Sequence, residues 1–200
     1  MKKTTVIVLV IGVIGLLLIK EKEQIVEKLT PKNKTNYKIG QAIDSLNGVA
    51  VFYNGSVGNV TGRNTIKGYN VGLKYQCVEF VKRYYYEFYK HKMPDSYGHA
   101  KSFYDLSVLD GKHNKQRNLT QYTNPSKTKP KIGDLVVMDA TFFNAYGHVA
   151  IISKVRENEI EIIQQNPGVS AASRVVFGLK KTNENKWKIE NKKLLGWLRK

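Results

Sequence analysis

Cys77 is the single cysteine in the 200-residue sequence, and it sits at the head of Tyr75-Gln76-Cys77-Val78-Glu79-Phe80-Val81-Lys82-Arg83. Downstream, Gly147-His148-Val149-Ala150-Ile151-Ile152 sets a histidine at the start of an apolar run. A thiol at a helix N-terminus lies in partial positive charge beside free N–H groups, which favour thiolate. An imidazole at a strand start can take the thiol proton and return it to a leaving amine. Together these two groups form a nucleophile and its base, suited to cutting an amide through a thioester.

The elements that must position them read as follows. Phe80, Tyr84 and Phe88 recur at i+4 with Cys77, Val81 and Tyr85 beside them, so a helix is expected from Gln76 to about Lys92, with Pro94 just beyond its end. Its tyrosines are read as packing groups rather than as base-stacking groups. Glu79 and Arg83 are expected to pair at i+4 on its wet face. Gly48–Tyr53 reads as a first strand, and the Gly- and Asn-rich stretch 55–75 as a loop leading to the thiol. Ser102–Val108 reads as a short helix, followed by a basic, turn-rich stretch to Pro130. Strands are expected from the Gly133-Asp134 turn to Met138, at His148–Lys154, Glu159–Gln165, Val175–Leu179, Trp187–Glu190 and Leu194–Leu198. Helices first and strands later give an α+β class with an antiparallel sheet.

Composition narrows the options. With 33 Lys and Arg against 16 Asp and Glu, the formal charge is +17, and +14 without Lys2, Lys3 and Lys20. Such a chain favours anionic partners, although the basic residues are spread along it rather than clustered, and nucleic acid is not the expected partner. A lone cysteine excludes an intrachain disulfide and multi-cysteine metal sites, and His91, His99 and His113 lack metal-ligand spacing, so no metal and no cofactor are expected.

Lys2 and Lys3 precede an uncharged run from Thr4 to Ile19 that reads as a signal anchor or a signal peptide. No small-residue cleavage pattern follows it, which favours an anchor. The leading lysines orient it with the rest of the chain outside the cytoplasm. The organisation expected is a signal anchor or signal peptide over 1–20, a polar spacer over 21–44 and a catalytic domain over 45–200.

Gln76-Cys77-Val78-Glu79-Phe80, the Pro130…Gly133-Asp134 turn, Gly147-His148-Val149-Ala150-Ile151-Ile152 and Gln164-Gln165-Asn166 occur in this order. In this set the chain resembles a CHAP domain, a cysteine, histidine-dependent amidohydrolase/peptidase of the papain-like NlpC/P60 superfamily. It is most similar to the amidase domain of bifunctional glutathionylspermidine synthetase/amidase, through Gly48-Val49-Ala50-Val51 and Leu195-Gly196-Trp197. The resemblance implies a papain-like CHAP/NlpC-P60 fold, with a helix carrying the cysteine packed on an antiparallel sheet. It implies Cys77 as nucleophile and His148 as base.

Where the family commonly has Glu-Gln-Asn, this chain has Gln164-Gln165-Asn166. A carboxylate there would stabilise the imidazolium; Gln164 can accept a hydrogen bond but supplies no charge. Asn166 is the other candidate orienter, because it shares parity with Gln164 along an extended strand. The Cys77 N–H is the natural oxyanion donor. The resemblance suggests the Gln76 side chain as a second donor, and a helix cap is the alternative for it. Three substrate readings stay open: a peptidoglycan amide, a glutathione–polyamine conjugate from which spermidine is released, and a catalytically weak wall-binding module on the same fold.

Overall fold

Leu135-Val136-Val137 and Val149-Ala150-Ile151-Ile152 are apolar without a break, a pattern that fits strands covered on both faces. The computed structural model describes residues 36–95, 97–168 and 172–200. The expected signal segment and most of the spacer lie outside the described residues. Among the described residues, no helix is long and apolar enough to cross a membrane.

The chain from Tyr37 to Lys200 makes one unit. It opens with two antiparallel hairpins, β1 (Ala42–Leu46) with β2 (Val49–Phe52) and β3 (Arg63–Ile66) with β4 (Tyr69–Leu73). Helix α1 (Cys77–Glu87) and a 3-10 turn (Ala100–Phe103) follow. The remaining strands are β5 (Lys112–Asn114), β6 (Leu119–Thr123), β7 (Leu135–Met138), β8 (His148–Val155), β9 (Glu159–Ile163), β10 (Arg174–Lys181), β11 (Trp187–Ile189) and β12 (Leu194–Arg199). They form one antiparallel sheet in the order β11-β10-β9-β8-β7-β12-β6-β5. The mixed helix-and-strand class is as the sequence indicates.

Alternation sorts the sheet into two cores. Leu135, Val137, Val149, Ile151, Ile163 and Leu198 join Phe80, Val81, Tyr84 and Tyr85 of α1 in one cluster. Val136, Ala150, Ile152, Ile160, Ile162, Leu179, Ile189 and Trp197 fill the other face. Both faces of β7 and β8 are therefore buried, which accounts for their unbroken apolar sequence.

Four expectations need correction. The stretch 55–75 is not a loop throughout: β3 and β4 lie within it, joined at Lys67-Gly68 with φ of 49° and 77°. That pair of positive angles makes the tight turn such a hairpin needs. The basic stretch before Pro130 contains the β5–β6 hairpin, turned at Asn118 with φ 52°. The spacer ends earlier than residue 44, because β1 begins at Ala42. Glu79 and Arg83 do pair, at 2.6 Å, but not on a wet face: Glu79 is 1% and Arg83 5% exposed. The helix is covered by β8 on one side and by β2 and β4 on the other, so it has almost no wet face. Gly72 makes the close approach of β4 possible, since a Cβ there would lie 3.1 Å from the Glu79 backbone nitrogen.

Candidate active site

Helix α1 begins at Cys77 because the chain before it turns sharply. Tyr75 holds φ +65°, and Gln76 N–H donates to the Leu73 carbonyl at 3.1 Å. The first helical bond runs from Phe80 N–H to the Gln76 carbonyl at 3.2 Å, which leaves the N–H groups of Cys77 and Val78 outside the helical ladder. The backbone N–H groups of Cys77, Val78 and Val149, the residue after His148, act on the Cys77 thiol in the direction that favours thiolate. The thiol at the helix start thus lies against the beginning of β8.

Those donors favour the thiolate, but burial is the larger influence and pushes the Cys77 thiol up. Burial thus works against the helix-end effect that favours thiolate. His148 is pushed down to about 4, first by burial and in the opposite sense by its hydrogen bond with Gln164. Both shifts run toward the uncharged forms of the thiol and the imidazole.

Gln164 meets His148 directly, with Nε2 of the ring 3.1 Å from Oε1 of the amide. The other end of that amide donates to the Ala172 carbonyl at 2.9 Å, so the oxygen is the end that faces the ring. His148 then carries its proton on Nε2, and Nδ1 keeps a free lone pair. The segment that supplies Ala172 is pinned in turn. Gln164 N–H donates to the Ser173 carbonyl at 2.8 Å, Ser173 Oγ donates to Asp44 at 2.7 Å, and Arg174 bridges Asp44 and Glu161, at 2.9 Å to each.

Asn166 has a different position. Its Nδ2 donates to Gln76 Oε1 at 2.7 Å and to the Val57 carbonyl at 3.0 Å. Parity with Gln164 fails because β9 ends at Ile163 and Asn166 sits at φ +53°, a left-handed turn that asparagine tolerates. Gln76 neither caps the helix nor presents a free amide. Its Nε2 donates to the carbonyls of Asn59, at 2.9 Å, and Val57, at 3.2 Å. Gln76 and Asn166 together clamp the loop after β2 over the helix start. The Cys77 N–H, outside the helical ladder, remains the candidate oxyanion donor from this set.

Sequence reasoning missed Gln165. It is fully buried, accepts from Phe52 N–H at 2.7 Å, and donates to the Gln76 carbonyl and to Glu79, both at 2.9 Å. One side chain therefore ties β2, the helix start and the buried ion pair together. Its place in the Gln-Gln-Asn string was the available signal. The backbone at Gly147 runs close to its neighbours: at φ +73°, a Cβ would lie 2.5 Å from the Met138 carbonyl and 2.9 Å from Lys101 Cβ. Asp134, in the Gly-Asp turn, accepts from Lys131 N–H and pairs with Arg199 through two bonds of 2.7 and 2.8 Å, which anchors β12.

Trypanothione synthetase of Crithidia fasciculata is 30% identical over 95 residues, which is 48% of this chain and 15% of that protein. Among solved structures, the wild-type endolysin LysIME-EF1 aligns with a TM-score of 0.40 at 17% identity over 80% of this chain and 58% of that one. Ly7917 aligns with a TM-score of 0.38 at 18% identity over 63% and 53%. The chain spans less than two thirds of each of these relatives. Residues 68–166, from the β3–β4 turn through Cys77 and His148 to Asn166, match the CHAP domain family, and over those residues this chain is a CHAP domain.

Proposed function

We propose that this chain is a cysteine amidohydrolase whose substrate is an amide of peptidoglycan. The observation that carries the chemistry is the fixed ring of His148: Gln164 holds its Nε2–H, which leaves Nδ1 free at the start of β8, the strand packed against the helix that begins at Cys77. On attack, Nδ1 takes the thiol proton as sulfur bonds to the amide carbon, and the Cys77 N–H faces the developing oxyanion. The imidazolium then returns the proton to the leaving amine. Water enters on the thioester, with the same nitrogen as base, and releases the acid. Because burial favours the uncharged form of each group, this mechanism moves the proton during attack rather than before it.

The wall polymer as substrate rests on the +17 charge, which suits its carboxylates. It also rests on the apolar run at 4–19, which on this reading anchors the chain with its catalytic part outside the cytoplasm. A second reading, release of spermidine from a glutathione conjugate, is favoured by the similarity to trypanothione synthetase. The positive charge opposes it, since that substrate is itself polycationic.

Incubating the full chain with purified sacculi and, separately, with glutathionylspermidine, followed by mass spectrometry, separates the readings. Muropeptides with a new amine terminus are expected from the first incubation. Free spermidine without them would replace the first reading by the second. Binding to sacculi with no release in either would leave a wall-binding module. Cys77→Ala is expected to abolish release, and activity surviving it removes the nucleophile.

A further inference from the structure

Phe142 and Phe143 are 97% and 95% exposed, at the tip of the connection between β7 and β8. Nothing about folding explains them. Two-residue turns favour Gly, Asn and Asp, and phenylalanine gains nothing there while losing the burial it would have in a core. Their rings meet edge to face at 5.2 Å, so they present one apolar prow.

The turn that carries them is held firmly. Thr141 and Asn144 exchange backbone bonds of 2.8 and 3.1 Å. Asn144 Nδ2 donates to the Gly147 carbonyl at 2.9 Å, and its Oδ1 accepts from Tyr146 N–H at 3.0 Å. Lys101 N–H donates to the Tyr146 carbonyl at 2.9 Å. The ring of Tyr146, itself 62% exposed, meets His99 at 4.7 Å.

This turn runs straight into the base. Met138 pairs with His148, and Thr141 lies three residues beyond Met138, at most about 10 Å at strand rise. The prow is thus joined to the site by a short rigid lever. It is near enough to meet the same substrate and far enough that it meets a different part of it from the scissile amide. Exposed Lys101, packed against Gly147, adds a positive charge on the same rim.

We propose that the Phe142–Phe143 turn is a polymer-contact surface, which stacks on the apolar face of a sugar in the glycan beside the unit being cut. Lys101 faces the carboxylates of the stem peptides. The inference rests on the peptidoglycan reading above. A small conjugate would fill the cleft at Cys77 and leave this prow unused, whereas a strand of repeating sugars extends past it. The apolar rings suit the C–H face of a pyranose, and the cation suits the acidic peptides, so one polymer satisfies both.

The test uses the full chain carrying Phe142→Ala and Phe143→Ala together. Release is measured from intact sacculi and from soluble muropeptides of a single disaccharide unit. The expected result is about a tenfold rise in KM for sacculi, as two rings lose part of their contact, with kcat little affected and under twofold change on single units. Equal kinetics on sacculi overturns the proposal. So does an equal loss on both substrates, which would mean that the change disturbed His148. If the parent releases nothing from sacculi, the peptidoglycan reading fails by itself. Co-sedimentation of Cys77→Ala with sacculi, with and without the phenylalanine pair, then decides: undiminished pelleting overturns the contact, and a tenfold weaker one supports it.

Discussion

Gln164 and Gln165 are neighbours in sequence and serve two unlike regions. Gln165 belongs to an ionic region in which Glu79 accepts from Arg83, Asn64 and Gln165 at 2.6 to 2.9 Å, with Glu79, Arg83 and Gln165 buried. Arg83 also donates to the Ala50 carbonyl at 2.8 Å and lies over the Phe52 ring at 4.8 Å. Gln164 belongs to a region without charged partners, where burial lowers the His148 imidazole and raises the Cys77 thiol. Where the helix start must be held still, full charges are buried and fully bonded. Where a proton must move, the groups stay close to neutral. A carboxylate at position 164 would carry ionic character into the second region.

Three experiments break or sharpen this contrast. His148→Ala has the largest expected effect, a loss in kcat on the order of 10⁴-fold, read as amine released per folded molecule. The melting temperature is expected to stay near that of the parent, because the neutral region does little to hold the fold. A melt lowered as far as in the ionic-region variant would erase the contrast.

Glu79→Gln is the converse. It strands the Arg83 charge 5% exposed, and breaking such a buried pair costs about 3–5 kcal/mol. The midpoint of chemical denaturation should fall accordingly, while the kcat of the folded fraction changes little. An unchanged midpoint would mean that the pair is not needed to fix the helix start.

Gln164 gives the smallest and sharpest effect. Gln164→Ala frees the ring and is expected to lower kcat by about 10²-fold, whereas Gln164→Glu keeps or raises it. In the parent, neutral His148 is the active form, so activity persists on lowering the pH until it falls through about 4. The stability sign is the same. The unfolded ring titrates near 6.5, and the folded one binds its proton only lower, so this contribution is complete above about 6.5 and lost as the pH falls through about 4. A carboxylate at 164 raises the folded value, and the acid limb of the rate profile should move up by about 1–2 pH units. Identical acid limbs in parent and Gln164→Glu would show that position 164 does not govern the imidazole.

Much of this was legible along the chain. The runs Leu135–Val137 and Val149–Ile152 read directly, because strand segments covered on both faces must be apolar at every position, and turns such as Glu157-Asn158 punctuate the strands. Cys77, His148 and Gln164 read from residue type and order. The β3–β4 and β5–β6 hairpins did not. Their strands are short, polar and half covered, so no periodicity stands above the glycine and asparagine around them, and it is a neighbour's cover that makes them strands.

The sequence by itself determined which groups could do chemistry: one sulfur, a histidine before an apolar strand, and an amide in place of a carboxylate. Those follow from side-chain chemistry, which is local. Tertiary structure alone decided that Glu79 and Arg83 are buried, that Asn166 and Gln76 hold a loop rather than the imidazole, and that burial pushes the thiol up and the imidazole down. The free energy of a charge or a hydrogen bond depends on how much water its surroundings exclude, and that exclusion is made by segments far apart in the chain.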